Sequence, residues 1–324
     1  MVSKQRKGKG GARVGNVANR TIFTRDNLEV MRGMDSGVVD LIYLDPPFNK
    51  KKQFQAPIGS EAEGASFKDW WVMDDVKFED MELLERKHPH ITALIRASGA
   101  VGERSNTPYL LYMAPRLIEM RRILKDTGSI YLHCDPTISH SLKLLMDAVF
   151  GVENFRNEIV WEYGLGGSSQ RAFSKKHDLI FFYSCSDNYQ FTKPQIEATS
   201  AMLRGKMKGM KDVWSDIPSL NNMAKERVGY PAQKPLELIE RIISASSSRN
   251  EFVLDPFCGC ATTCVAAEKL GRQWIGIDVS PKTAELAAIR MERELGKLLP
   301  LIHRFDAPKR RTTTFNCSAK PAIP

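Results

Sequence analysis

Two short segments constrain this chain more than any others: Leu41-Ile42-Tyr43-Leu44-Asp45-Pro46-Pro47-Phe48 and Phe252-Val253-Leu254-Asp255-Pro256-Phe257-Cys258-Gly259-Cys260-Ala261-Thr262-Thr263. Each begins as an apolar run with the character of a buried strand, and each stops at an aspartate followed by proline. Proline has no N–H to give to a sheet ladder, so each strand must end there. In open α/β sheets, ligands bind at the carboxyl ends of strands, where the strand order reverses. If the two strands lie side by side, one turn can hold a cofactor and the other a substrate.

The rest of the pattern supplies such a sheet. Strands are predicted over 21–25, 38–44, 128–133, 155–161, 178–184, 252–254 and 274–278. Asp26 is placed to cap a helix through Leu28, Val30 and Met31, which Gly33 and Gly37 end. Further helices are predicted near 79–97, over 107–125 and 137–150, from Pro235, and over 262–270 and 282–296. The alternation predicts an α/β fold with a doubly wound, mostly parallel sheet. Residues 49–106 are too long for an ordinary connection and read as a lid or binding loop, with Trp70 and Trp71 as a packing cluster. From 185 to 229 the chain is polar, basic and weakly periodic, which suits an inserted recognition module or a surface helix with solvated lysines.

With 42% hydrophobic residues over 324 positions the chain can bury a large core. No apolar run approaches the roughly 20 residues that span a bilayer, and no apolar h-region follows the first basic residues, so the expected compartment is the cytoplasm. The formal charge is +9, concentrated at the ends. Residues 1–25 carry Lys4, Arg6, Lys7, Lys9, Arg13, Arg20 and Arg25 and no acid. Such arms suit a phosphate backbone or serve solubility. Three of the six cysteines, Cys258, Cys260 and Cys264, crowd one turn. Their spacing fits no common zinc framework and no histidine is near, so no metal is expected.

The two turns differ in chemistry. The Asp45 carboxylate and the Pro46 carbonyl are acceptors only, suited to the two hydrogens of an exocyclic amine, while Pro47 stiffens the turn and Phe48 offers a face for a planar ring. The Asp255 turn opens onto a helix starting at Thr262 and Thr263, with Gly259 allowing close backbone approach. Asp278 ends the next strand about twenty residues on, where an acid bonds ribose hydroxyls or caps a helix beside Ser280-Pro281. His133-Cys134-Asp135 at a strand end reads as structural or substrate-lining.

Together these residues resemble the β-group of S-adenosylmethionine-dependent DNA amino-methyltransferases, across roughly residues 20–296. Tyr230-Pro231-Ala232-Gln233-Lys234-Pro235 resembles the element before the cofactor strand, with Ala232 where the family usually has threonine. The family's small residue and glycine at the cofactor turn appear as Cys258, Cys260 and Ala261. The resemblance implies a circularly permuted, seven-stranded methyltransferase sheet of order 3-2-1-4-5-7-6, in which the Asp45 and Asp255 strands are neighbours. It implies N6 of adenine as the target, because aspartate heads the catalytic turn. N4-cytosine, RNA or a protein amide remain alternatives, and a cofactor-sensing DNA-binding module is the non-enzymatic one.

The implied catalytic residues are Asp45, Pro46, Pro47 and Phe48. The implied cofactor residues are Asp26, Gln233, Lys234, Asp255, Phe257, Cys258, Gly259, Thr262, Thr263 and Asp278. Candidate contacts to double-stranded DNA are Lys50, Lys51, Arg171, Lys175, Lys176, Arg204, Lys206 and Lys208. The organisation that follows is a flexible basic arm (1–19), a catalytic half (20–163), a target-recognition region (164–229) including one core strand, a cofactor half (230–298) and a basic tail (299–324). A homodimer and a cognate restriction endonuclease are left open as partners.

Overall fold

The computed structural model describes residues 13–101, 106–164, 170–198, 204–221, 223–296 and 298–310. Among these, nine strands form one sheet: β1 (Thr21–Thr24), β2 (Val39–Leu44), β3 (Leu124–Cys134), β4 (Phe155–Glu162), β5 (His177–Ser184), β6 (Val213–Trp214), β7 (Phe252–Asp255), β8 (Gln273–Asp278) and β9 (Ile302–Arg304). The order across the sheet is β6-β4-β5-β3-β2-β7-β8-β1-β9. Neighbours are parallel except where β5 runs against β3 and β4. The seven inner strands stand in the expected order. The expected count of seven falls short because two short strands, β6 and β9, add at the edges, and runs that brief carry no periodic signal.

The helices are α1 (Asn27–Gly33), α2 (Phe78–Lys87), α3 (Pro89–Val101), α4 (Asn106–Ile123), α5 (Ser139–Phe150), α6 (Leu236–Ser246), α7 (Thr262–Lys269) and α8 (Lys282–Leu295). They cover both faces of the sheet, which is why all six residues of β2 are buried and apolar almost throughout. Alternate side chains serve opposite cores. Ile42 and Leu44 join Met31, Leu117 and Leu145 on one face, and Leu41 and Tyr43 join Ile239, Val265 and Ala287 on the other. Asp40 on β2 accepts the buried Phe252 N–H at 2.8 Å, locking the start of β7 beside it across 212 positions of sequence. Among the described residues no helix is long and apolar enough to cross a membrane.

Several expectations change. The single helix near 79–97 is two, broken at His88 because Pro89 cannot continue the hydrogen bonding of the turn before it. The described part of 185–229 holds no helix, only β6 and a hairpin pairing Gln195–Glu197 with Met207–Gly209. The expected arm is ordered from residue 13, where Arg13–Val14 pairs with Val17–Ala18; residues 1–12 lie outside the described residues. The tail contributes β9, and Asn16 Nδ2 ties it to the end of α1 by donating to both Lys309 O and Gly33 O at 2.7 Å. Residues 311–324 lie outside the described residues. Within 49–106, Lys52–Gln55 pairs with Ser66–Asp69 as a hairpin. Trp71 is buried against Tyr109 and Tyr112, as expected of a packing cluster.

Candidate functional site

Four adjacent parallel strands, β2, β7, β8 and β1, each deliver an aspartate at the same edge of the sheet: Asp45, Asp255, Asp278 and Asp26. A cavity of about 640 Å³ opens above them, lined by all four carboxylates and by the whole turn Asp45-Pro46-Pro47-Phe48. Apolar surface dominates its walls. The hairpin of residues 52–69 runs along it, with Phe54 stacked on Phe67 at 5.0 Å and Phe67 on Tyr230 at 6.3 Å.

The turns after β7 and β8, and the one after β1, are held by their own polar groups. Asp255 accepts the Phe257 N–H at 3.0 Å and the Thr263 hydroxyl at 2.5 Å. Burial pushes its carboxyl up to about 7, against those two hydrogen bonds, and the charges of Asp45 and Asp278 add to the rise. Asp278 accepts the N–H groups of Gly259 and Ser280, each at 2.8 Å, and burial raises its carboxyl despite them. Asp26 caps α1 through Leu28 N at 2.9 Å and binds Arg116 Nη2 at 2.5 Å. Gly259 has φ +49°, and a Cβ there would lie 2.8 Å from the Tyr230 ring, so the turn needs glycine on both counts. Ala261 sits at φ +61°, a region that costs an L-residue roughly 1–2 kcal/mol.

Thr262 and Cys258 line the cavity but are nearly buried. The Thr262 hydroxyl accepts from Arg290 Nη1 at 2.6 Å, and burial with a Cys264 hydrogen bond holds the Cys258 thiol well above its ordinary range. Among the described residues no cluster of three or more metal-ligating side chains occurs. Gln233 lines the cavity but spends its amide on its own loop, accepting from Val228 N and donating to Glu226 O.

Lys234 joins the two halves. Its Nζ lies 2.5 Å from Asp45 Oδ2 and 5.3 Å from the centre of the Phe48 ring. Asp45 Oδ1 is buried and has no hydrogen-bond partner among the described residues. Phe48 stacks on His133 at 6.0 Å. Beneath it runs a buried chain: the Tyr43 hydroxyl meets His133 Nδ1 at 2.9 Å, His133 Nε2 meets Asp178 Oδ2 at 3.1 Å, and Tyr163 donates to Asp178 Oδ1 at 3.1 Å. Burial works to raise Asp178, but the hydrogen bond and charge of His133, helped by Lys234 and Lys50, hold it at about 2.

The basic candidates separate. Lys50 lines the cavity, 4.8 Å from the Phe48 ring centre and 3.4 Å from Asp135. Lys51 is exposed beside it and does not line the cavity. Arg171, Lys175 and Lys176 lie on the connection from β4 to β5, at the sheet edge that carries Asp45. Arg204, Lys206 and Lys208 belong to the hairpin whose base is tied to the carboxyl end of α6 by Thr192 N to Ala245 O at 2.7 Å, at the opposite edge. Sequence reasoning missed Arg116, Arg290, Tyr43 and Asp178. Only the burial of their helix and strand positions hints at them, since charge on an apolar face needs a partner.

A model of the DNA methylase family with N6 or N4 specificity matches residues 39–289. The type II methyltransferase M.ScaI of Streptomyces caespitosus is 26% identical over 293 residues, covering 86% of this chain and 83% of its own. The DNA adenine methyltransferase YhdJ of Escherichia coli K12 is 26% identical over 297 residues, covering 86% and 85%. Among solved structures, the cytosine-N4-specific PvuII DNA methyltransferase superimposes with a TM-score of 0.54 at 14% identity, covering 89% of this chain and 94% of its own. The DNA modification methylase TTHA0409 of Thermus thermophilus, so named as a putative one, gives 0.53 at 19%, covering 90% and 100%. At these identities the two structures speak for the fold.

Proposed function

The chain belongs to the N6/N4 DNA methylase family, and from that premise we propose that it transfers the methyl group of S-adenosylmethionine to the N6 amine of adenine in double-stranded DNA. The observation that carries this reading is the Asp45-Pro46-Pro47-Phe48 turn, whose buried Asp45 Oδ1 has no hydrogen-bond partner among the described residues, in a cavity shared with the glycine turn of the next strand.

The residues fit the cofactor. The cavity volume lies within the range of about 300–1,000 Å³ usual for such sites. Asp26 and Asp278 offer acceptors for an adenine amine and ribose hydroxyls, and Gly259 leaves the backbone open. Phe257 and Cys258 complete that turn, Asp255, Thr262 and Thr263 hold its shape, and Gln233 and Lys234 flank the end nearest Asp45. When bound, the cofactor supplies an electrophilic methyl on a positively charged sulfur.

The chain then supplies position and charge. The extruded base stacks on Phe48, and its amine hydrogens meet Asp45 Oδ1 and the Pro46 carbonyl, which turns the nitrogen lone pair toward the methyl. The amine nitrogen would take the methyl of the bound cofactor, and the electron pair of the broken S–C bond would stay on sulfur. The positive charge that would develop on nitrogen lies next to the Asp45 carboxylate, which stabilises it until the surplus amine proton passes to water. Lys50, Lys51, Arg171, Lys175 and Lys176 are proposed to meet phosphates near the cavity, whereas Arg204, Lys206 and Lys208, on a hairpin tied down at the opposite edge, are not assigned to that contact.

Adenine is favoured because aspartate heads the catalytic turn and because YhdJ, a relative across most of the chain, is named an adenine methyltransferase. The test is incubation with S-adenosylmethionine and unmethylated DNA, followed by mass spectrometry of the nucleosides. N6-methyladenine supports the reading, N4-methylcytosine overturns the base assignment, and no methylated nucleoside overturns the activity.

A further inference from the structure

We propose that Lys234 reads the flipped base: with Asp45 it forms an adjacent donor and acceptor that match the ring nitrogen and amine on the Watson–Crick edge of adenine. This rests on the base-methylation reading above.

The lysine ammonium carries three N–H bonds and accepts none. Two are directed at Asp45 Oδ2, at 2.5 Å, and more weakly at Ala232 O, at 3.4 Å. One is left over, on a side chain only 9% exposed whose Nζ stands 5.3 Å from the Phe48 ring centre. Beside it, Asp45 Oδ1 is buried and has no donor. A spare donor and an unmet acceptor therefore belong to one ion pair, whose ammonium stands over the Phe48 ring on which the base is proposed to stack.

Adenine presents an N6–H donor next to the N1 acceptor. Placed on Phe48 with N6 at Asp45, it brings N1 to the Lys234 ammonium. Guanine and thymine present the reverse order, a carbonyl followed by a ring N–H. Either would set an oxygen against the carboxylate and an N–H against the ammonium, so the pair rejects both as well as accepting adenine. Cytosine has the same order as adenine at N4 and N3, so the pair selects amino bases and leaves the separation of A from C to the cavity's shape. The plainer role for Lys234 is to neutralise a buried carboxylate. That role has no need of N1.

The test therefore alters N1. The full chain is assayed on a duplex carrying its mapped methylation site, with the target adenine or 1-deazaadenine placed opposite an abasic position so that base pairing drops out. Wild type should lose roughly 10- to 100-fold in kcat/KM on 1-deazaadenine, the loss of a hydrogen bond to a charged donor. Lys234→Met should lose a similar factor on adenine but differ by less than about 3-fold between the two bases. Lys234→Arg, which keeps a donor, should retain the preference for adenine. A penalty unchanged in Lys234→Met, or a wild type indifferent to the substitution, overturns the proposal. If Lys234→Met does not fold, the wild-type and Lys234→Arg comparisons still decide. A wild type that methylates no adenine overturns the adenine assignment on which this proposal rests, a result distinct from indifference to N1.

Discussion

Asp255→Asn isolates the electrostatics of the cavity floor. The folded Asp255 carboxyl keeps its proton up to about 7, whereas an ordinary carboxyl releases it near 3.8. Between those values the folded state binds more protons than the unfolded one, so this group's contribution is fully present below the lower value and is lost as pH rises through the upper. Asparagine carries no charge at any of these pH values. Its oxygen can still accept the Phe257 N–H, and its amide nitrogen can donate to the Thr263 hydroxyl in place of the present bond. Such an exchange costs about 1 kcal/mol or less, equally at every pH. About two pH units of the span lie above pH 5, so at roughly 1.4 kcal/mol per unit the variant should gain on wild type by roughly 3 kcal/mol between about pH 5 and about pH 8.5. Asp69 and Glu226 are also raised by burial, but they are common to both proteins and cancel in the difference, while Asp278 interacts with the Asp255 charge and is relieved of it in the variant, which acts in the same direction. Urea unfolding of the ligand-free protein at the two pH values reads this directly. A variant-to-wild-type difference that stays constant with pH would refute the idea that Asp255 is held protonated in the folded turn.

Asp45→Ala should cut methyl transfer by about a hundred- to thousand-fold, while calorimetry finds cofactor affinity little changed; retained turnover would remove Asp45 from the chemistry. Phe48→Ala should raise KM for DNA by roughly 10- to 100-fold through lost stacking, and 2-aminopurine fluorescence at the target should fall because the extruded base is no longer held. Asp178, held at about 2 in the fold, stabilises above an ordinary carboxyl value and stops doing so as pH falls through 2. Acid unfolding followed by circular dichroism should show wild type losing roughly 2 kcal/mol over that interval relative to Asp178→Asn.

The inner sheet was legible in the sequence because its strands are buried on both faces and end at charged turns, as Leu44-Asp45 and Leu254-Asp255 do. Proline and glycine marked most of the boundaries, and Pro89 marked one that the apolar spacing of 79–97 concealed. The edge strands β6 and β9 were not legible, since two or three residues have no period. The hairpin of residues 52–69 escaped for a related reason: most of it is exposed and shows no clean alternation. The four aspartates of the cavity were each found from local signals. Their partners were not, because Lys234 meets Asp45 across 189 positions and Arg116 meets Asp26 across 90. Side-chain pairing at such distances is decided by strand order and by the length of loops, neither of which a local pattern encodes.

The bond from Asp40 to Phe252 spans 212 positions, and that span has a meaning for the chain as it is made. At about 5–20 residues per second, the ribosome needs about 10–40 s to move from one to the other. Throughout that interval β2 is synthesised and apolar, yet one of its edges has no neighbour, because β7 does not yet exist. The nascent protein therefore carries an open, sticky seam through its middle, the kind of surface on which strands from other chains can add. Slowing translation upstream of residue 252 should lengthen the exposure and increase the chain's dependence on chaperones.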